Sequence, residues 1–228
     1  YVSTFKDHPA ILMWAIGNEN NLHLVNQTQK DAFYSLVNEM ADLAHQVEGV
    51  DYHPVALVNG DLGFMNEYDA QLTNIDIWGA NVYRGESFGT LFTEYEAIST
   101  KPFWIAEYGV DAWHANDLAN PENGNGYVDE VTQAQWAGSL WDEIVNHNDV
   151  TIGGTIMSYS DNWWQPWEWY CSNSGQPFTD PECNSMQNHF AAGPVDTSCP
   201  SDGTMEWIPP APDQNLHQEW WGIMAIAP

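Results

Sequence analysis

Five short apolar runs, separated by segments of helical spacing and closing on polar side chains, constrain this chain more than any other feature. The first, Ala10-Ile11-Leu12-Met13-Trp14-Ala15-Ile16-Gly17, is continuously apolar, as expected of a strand buried on both faces. From Asn26 to about Val47, apolar Phe33, Leu36, Val37, Met40, Leu43, Ala44 and Val47 recur at helical intervals. Further along, residues 54–58, 75–82, 102–106 and 151–159 predict strands, and residues 87–98 and 131–145 predict helices.

Strands alternating with helices build a parallel sheet with crossover helices. The predicted strand ends carry Asn18-Glu19, then Asn59 and Asp61, Asn81 and Tyr83, Glu107, and finally Asp161 to Trp163. Polar groups at the C-terminal ends of successive strands are the habit of a (β/α)₈ barrel, whose active site lies there. A doubly wound open sheet would carry a glycine-rich phosphate turn after its first strand, and none is present. The expected fold class is therefore α/β: five strand–helix units of a TIM barrel over residues 1–164. The other three strands are expected from an N-terminal segment, another polypeptide or self-association, because an open parallel half-barrel leaves a bare edge.

After Trp164 the pattern dissolves. Residues 165–228 read as an irregular loop and a C-terminal packing segment of the same domain, Gln218 to Met224 returning to the body. So long a loop is usually functional or braced. Cys171, Cys183 and Cys199 all lie in it, which predicts a disulfide and an extracellular setting, with one sulfur left over.

Charge narrows the partners. The 228 residues include 4 Lys and Arg against 32 Asp and Glu, a formal net charge of −28. Such a surface repels nucleic acid and anionic membranes and suits a neutral substrate. No run of 18 apolar residues exists to span a membrane. Asn26-Gln27-Thr28 has the form of a glycosylation sequon, but Asn26 reads better as a helix N-cap.

Two of the apolar runs end abruptly in glutamate: Trp14-Ala15-Ile16-Gly17-Asn18-Glu19 and Phe103-Trp104-Ile105-Ala106-Glu107. A carboxylate at the mouth of a buried strand is costly unless something uses it. A lone strand-end glutamate is ordinarily solvated or ion-paired, yet four basic residues leave little pairing for these acids. Two carboxylates working on one glycosidic bond account for both.

The segment Asp7-His8-Pro9-Ala10-Ile11-Leu12-Met13-Trp14-Ala15-Ile16-Gly17-Asn18-Glu19 resembles the fourth-strand signature of the retaining glycoside hydrolases of clan A. It is most similar to the family of β-galactosidases and β-glucuronidases, or to the related glucanases. Lys101-Pro102-Phe103-Trp104-Ile105-Ala106-Glu107-Tyr108-Gly109 resembles their seventh strand, Asn81-Val82-Tyr83 their sixth, and Gly153 through Trp164 their eighth. The resemblance covers residues 5–165, with the four motifs in family order. It implies Glu19 as general acid/base and Glu107 as nucleophile, with Asn18 on the sugar 2-hydroxyl and Tyr83 orienting Glu107. Asn81 joins the substrate-binding set, and Trp163 and Trp164 supply an aromatic floor. The charge of Glu107 would help Glu19 keep its proton until it is needed. Trp14 and Trp104 lie inside strands and are expected in the core.

Other chemistries lack their residues. The eight histidines show no metal-ligand spacing, there is no CxxC, GxSxG or P-loop, and no cofactor is implied. Residues 120–126 with Asp129 read as a turn-rich loop in preference to a calcium site. The resulting expectation is a retaining glycosidase on a β-linked oligo- or polysaccharide. A transglycosylase would use the same residues, and a non-catalytic carbohydrate-binding or assembly protein is the alternative.

Overall fold

The computed structural model describes residues 1–110, 112–115, 126–160 and 222–223, with backbone alone at 113–115 and 126–128. The chain divides into two compact units. One takes Tyr1–Val82, Gly89–Glu107 and Glu143–Thr155; the other takes Tyr83–Phe88 and the described residues of 108–142 and from 156 onward.

The first unit is organised by a five-stranded sheet. Its strands are β1 (Trp14–Ile16), β2 (Val55–Gly60), β3 (Ile77–Asn81), β4 (Phe103–Tyr108) and β7 (Thr151–Ile156), hydrogen-bonded in that order. The first three pairings are parallel, with Trp14 opposite Val55, Ala56 opposite Ile77 and Trp78 opposite Phe103. All six residues of β2 are buried, as befits a central strand covered on both faces. Helix α1 (Val2–Phe5) precedes β1, and between the strands run a 3₁₀ turn (Asn20–His23), α2 (Gln27–Glu48), α3 (Met65–Tyr68) and α4 (Leu91–Glu96). Helix α2 starts at Asn26, whose side chain accepts from Gln29 N at 3.0 Å, so this asparagine does cap a helix. It ends at Gly49, whose positive φ of 96° suits only a residue without Cβ.

In the second unit, β5 (Trp113–Ala115) and β6 (Gly126–Val128) form an antiparallel pair. Asp129 follows, and its carboxylate accepts from Thr132 N at 3.0 Å and Thr132 Oγ1 at 2.8 Å, capping α5 (Glu130–Asn146). Buried Gln133 donates to Val110 O at 3.1 Å.

Several elements differ from expectation. Strand β1 covers only three of the eight residues predicted, and Leu12 is 79 % exposed. A turn explains this: Ala10 N donates to His8 Nδ1 and Ile11 N to His8 O, so the chain joins the sheet late and lies at its edge. On α2 the buried face is Tyr34, Val37, Ala41 and Ala44, whereas Leu36, Met40 and Leu43 are exposed. Helix α4 is shorter than residues 87–98, β4 runs two residues beyond 106, and β7 stops at Ile156. Trp14 is buried as expected; Trp104 is only partly so, its indole donating to Thr155 Oγ1 at 3.2 Å. The segment expected to be disulfide-braced, with Cys171, Cys183 and Cys199, lies outside the described residues, as do Trp163, Trp164 and residues 120–125.

Candidate active site

The site is built where β1 to β4 end. Strand β1 breaks at Gly17, whose φ of +68° and missing Cβ let it pass the Asn20 side chain. Asn20 turns back, its Oδ1 accepting from Asn18 N at 3.1 Å. Glu19 follows in the left-handed region, φ 54° and ψ 20°, a conformation that strains a residue with a side chain. It is held there by its own backbone: Glu19 N donates to Val58 O of β2 at 3.1 Å, and Glu19 O accepts from Leu22 N at 3.0 Å. The Glu19 carboxylate is carried on a clamped main chain and is partly exposed.

Asn21 replaces the strand that β1 ceases to provide. Its Nδ2 donates to Gly60 O at 2.9 Å and its Oδ1 accepts from Gly60 N at 2.7 Å, satisfying both backbone groups as a neighbouring strand would. Gly63 must be small for this, since a Cβ there would lie 2.5 Å from Asn21 Nδ2. Nothing in the charge or motif pattern singled out Asn21; the only signal was a run of amides directly after an apolar strand.

Strand β3 delivers Asn81, which is 3 % exposed and donates from Nδ2 to Asn18 Oδ1 at 3.0 Å. Its carbonyl accepts from Asp61 N at 2.9 Å, Asp61 itself standing at φ 47°. On the other side, Val82 N donates to Glu107 O at 2.8 Å.

Glu107 reaches this face through an irregularity. Ala80 pairs with Ile105 but Asn81 pairs with Glu107, so Ala106 is an extra residue in β4. Paired residues of a parallel sheet share a face, and side chains alternate along each strand. Without the extra residue Glu107 would follow Ile105 to the face of Ala80; with it, Glu107 shares the face of Asn81, which is also that of Asn18. Bulges beside active sites re-aim side chains in this way.

The opposite face of β2 is a support layer. Buried Asn59 donates to Tyr34 OH at 3.2 Å and to Gly63 O at 2.8 Å. Tyr34 stacks on Tyr68 at 4.0 Å, and Tyr68 OH donates to Asp31 Oδ1 at 2.5 Å. Burial pushes the Tyr34 phenol up to about 12 and raises Tyr68 as well, so both stay neutral, Tyr34 accepting from Asn59 and Tyr68 donating to Asp31. A cavity of about 260 Å³ beside Tyr34 and Asp31 opens on this helix side, away from Asn81.

Asn18, Asn81, Glu19 and Glu107 thus belong to one unit, at adjoining strand ends. Tyr83 falls in the second unit, where its hydroxyl donates to Met157 Sδ at 3.0 Å. Among the described residues no group of His, Cys, Asp and Glu is placed to hold a metal ion.

Residues 1–172 match the family described as glycosyl hydrolases family 2, TIM barrel domain. A putative beta-glucuronidase from Formosa agariphila is 24 % identical over 164 residues, covering 69 % of this chain and 18 % of that protein. Two solved GH113 beta-1,4-mannanase structures, one of them a complex, each cover 85 % of this chain and 60 % of theirs. Their identities are 14 % and 12 %, with TM-scores of 0.48 and 0.47. The chain therefore spans less than a fifth of the glucuronidase it resembles and three-fifths of each mannanase chain.

Proposed function

This chain belongs to glycosyl hydrolase family 2, as its TIM-barrel domain, and from that premise we propose that it is a retaining glycosidase acting on a neutral β-linked glycan. The observation that carries the reading is the bulge at Ala106. It puts Glu107 on the same face as Asn18 and Asn81, at the end of the sheet where Glu19 is held in a strained backbone.

In this mechanism the ionised Glu107 attacks the anomeric carbon while protonated Glu19 gives its proton to the departing glycosidic oxygen. The products are a free alcohol and a sugar esterified to Glu107. Glu19, now ionised, takes a proton from water, whose oxygen attacks the anomeric carbon and releases Glu107 as carboxylate. A sugar acceptor in place of water would give transglycosylation from the same intermediate. The cations of this chain support a neutral substrate. Lys6 donates to Val47 O, Lys30 pairs with Glu67, Lys101 pairs with Asp69 and Arg84 donates to Phe88 O. Those four are all the Lys and Arg the chain has.

The barrel is completed, in this proposal, by strands outside residues 1–228. Strands β1 and β7 form the edges of the described sheet. Exposed apolar groups flank them: Tyr1, Phe5 and Leu12 near β1, and Ile152 on β7. Closure is what removes such edges.

An aryl β-glycoside assay on the intact assembly tests the enzyme. Glu107→Gln is expected to abolish turnover, and Glu19→Gln to slow it by about 10²–10⁴-fold, least for the best leaving groups. Unchanged activity in Glu107→Gln would overturn the nucleophile assignment.

A further inference from the structure

We propose that Asn81 is a positioning residue which dictates the orientation of the Asn18 amide, and so makes Asn18 a hydrogen-bond donor to the sugar's 2-hydroxyl. This rests on the glycosidase reading, from which the contact between Asn18 and that hydroxyl is taken. A side-chain amide has two faces of opposite character, an oxygen that only accepts and an NH₂ that only donates. Which one it offers a ligand depends on what occupies the other. Asn81 Nδ2 donates to Asn18 Oδ1 at 3.0 Å, so the oxygen is engaged inside the protein. The main chain of Asn18 is fixed as well, its N–H bound to Asn20 Oδ1 at 3.1 Å beside Gly17 at φ +68°. Asn18 is exposed, and with its oxygen engaged by Asn81 the group left for a ligand is its NH₂.

That choice matters beside a carboxylate. A hydroxyl lying between Asn18 and ionised Glu107 has one proton, which it gives to the carboxylate, so it is paired on both sides when Asn18 offers a donor to its oxygen. The NH₂ is that donor. The carbonyl, turned outward, would leave the hydroxyl between two acceptors.

Asn81 is built for the task and not for contact. At 3 % exposure it is closed to a sugar. Its backbone is held between neighbours, Asp61 N donating to its carbonyl at 2.9 Å and the next residue, Val82, donating to Glu107 O at 2.8 Å. Its own Oδ1 is buried with no hydrogen-bond partner among the described residues. A buried acceptor left unpaired costs stability. An apolar residue of similar volume would fill the space without that cost, but only the amide brings the donor for Asn18.

Paired substrates test this: an aryl β-glycoside and its 2-deoxy counterpart, assayed on the intact assembly with wild type, Asn18→Ala, Asn81→Asp and the double variant. Asn81→Asp replaces the donor by an acceptor against Asn18 Oδ1. It is expected to lower the 2-hydroxy to 2-deoxy ratio of kcat/KM by about tenfold, the worth of one hydrogen bond near a charge. The double variant should be no worse than Asn18→Ala, since the two act as one. Asn81→Leu removes the donor at similar volume and gives the same readout should the aspartate variant not fold. A purely structural Asn81 would depress both substrates alike; an unchanged ratio in an active enzyme overturns the proposal alone. Wild-type protein that turns over neither substrate overturns the glycosidase reading, and the proposal with it.

Discussion

Glu48 shows how one carboxylate can tie the foot of the sheet. It sits at the last position of α2, and its Oε1 accepts from the Trp14 indole at 2.8 Å and lies 2.8 Å from His53 Nδ1. Its other oxygen accepts from His53 N. Edge strand β1, helix α2 and the approach to β2 meet on this side chain. Burial alone would raise its pKa, but the bonds from His53 and Trp14 outweigh it and hold the group below its ordinary 4.5. A carboxylate depressed in the folded state stabilises it in full above the unfolded value and loses that contribution as pH falls through the folded one. Stability from Glu48 should therefore persist above about pH 4.5 and fade below it. Urea unfolding of wild type and Glu48→Gln across pH 3–7 measures this: the gap between the curves should be widest near neutrality and close on acidification.

At the level of elements, α2 carries two apolar stripes. One faces β2, and the other, Leu36, Met40 and Leu43, is exposed at the helical spacing of a second contact. If closing strands and their helices cover that flank, Leu43→Glu should reduce the native mass of the assembly and lower its melting temperature. If the flank faces water, neither quantity should move, since isolated surface substitutions typically stay within about 0.5 kcal/mol. The same helix shows where the sequence was readable. Its length and Asn26 cap follow from periodicity and local chemistry, and β2, β3 and α5 lie close to their predicted bounds for the same reason. The two apolar stripes could not be separated in advance, because hydrophobic spacing records that a surface is apolar and not which neighbour covers it. Strand β1 is shorter than its apolar run, since His8 diverts the chain before Trp14 into a turn that apolar character does not reveal. The pair β5–β6 and the one-turn α3 were missed for want of periodicity. Asn18, Glu19, Asn81 and Glu107 were legible as strand-end polar groups. The extra residue at Ala106 was not, because a bulge changes pairing without altering composition.

Across the whole molecule, the scarcity of cations bears on the neutral substrate proposed above. With a net charge of −28 and four Lys and Arg, each engaged by a backbone carbonyl or a carboxylate, a uronate would approach acids and find little to balance its charge. Neutral aryl β-glycosides are expected to be turned over with higher kcat/KM than the matching β-glucuronide, and raising the salt should narrow the difference by screening. A glucuronide preferred at low salt would contradict the neutral-substrate reading. The order of the sheet, β1-β2-β3-β4-β7, has a consequence for how such a chain is made. Among the described strands, each of β2, β3 and β4 pairs with the one synthesised immediately before it, so these three closures each span a single strand–helix unit, and only β7 returns to β4 across β5, β6 and α5. Loop entropy is then met in small instalments, and the sheet can lengthen from one end as the polypeptide emerges, each finished strand serving as the template for the next.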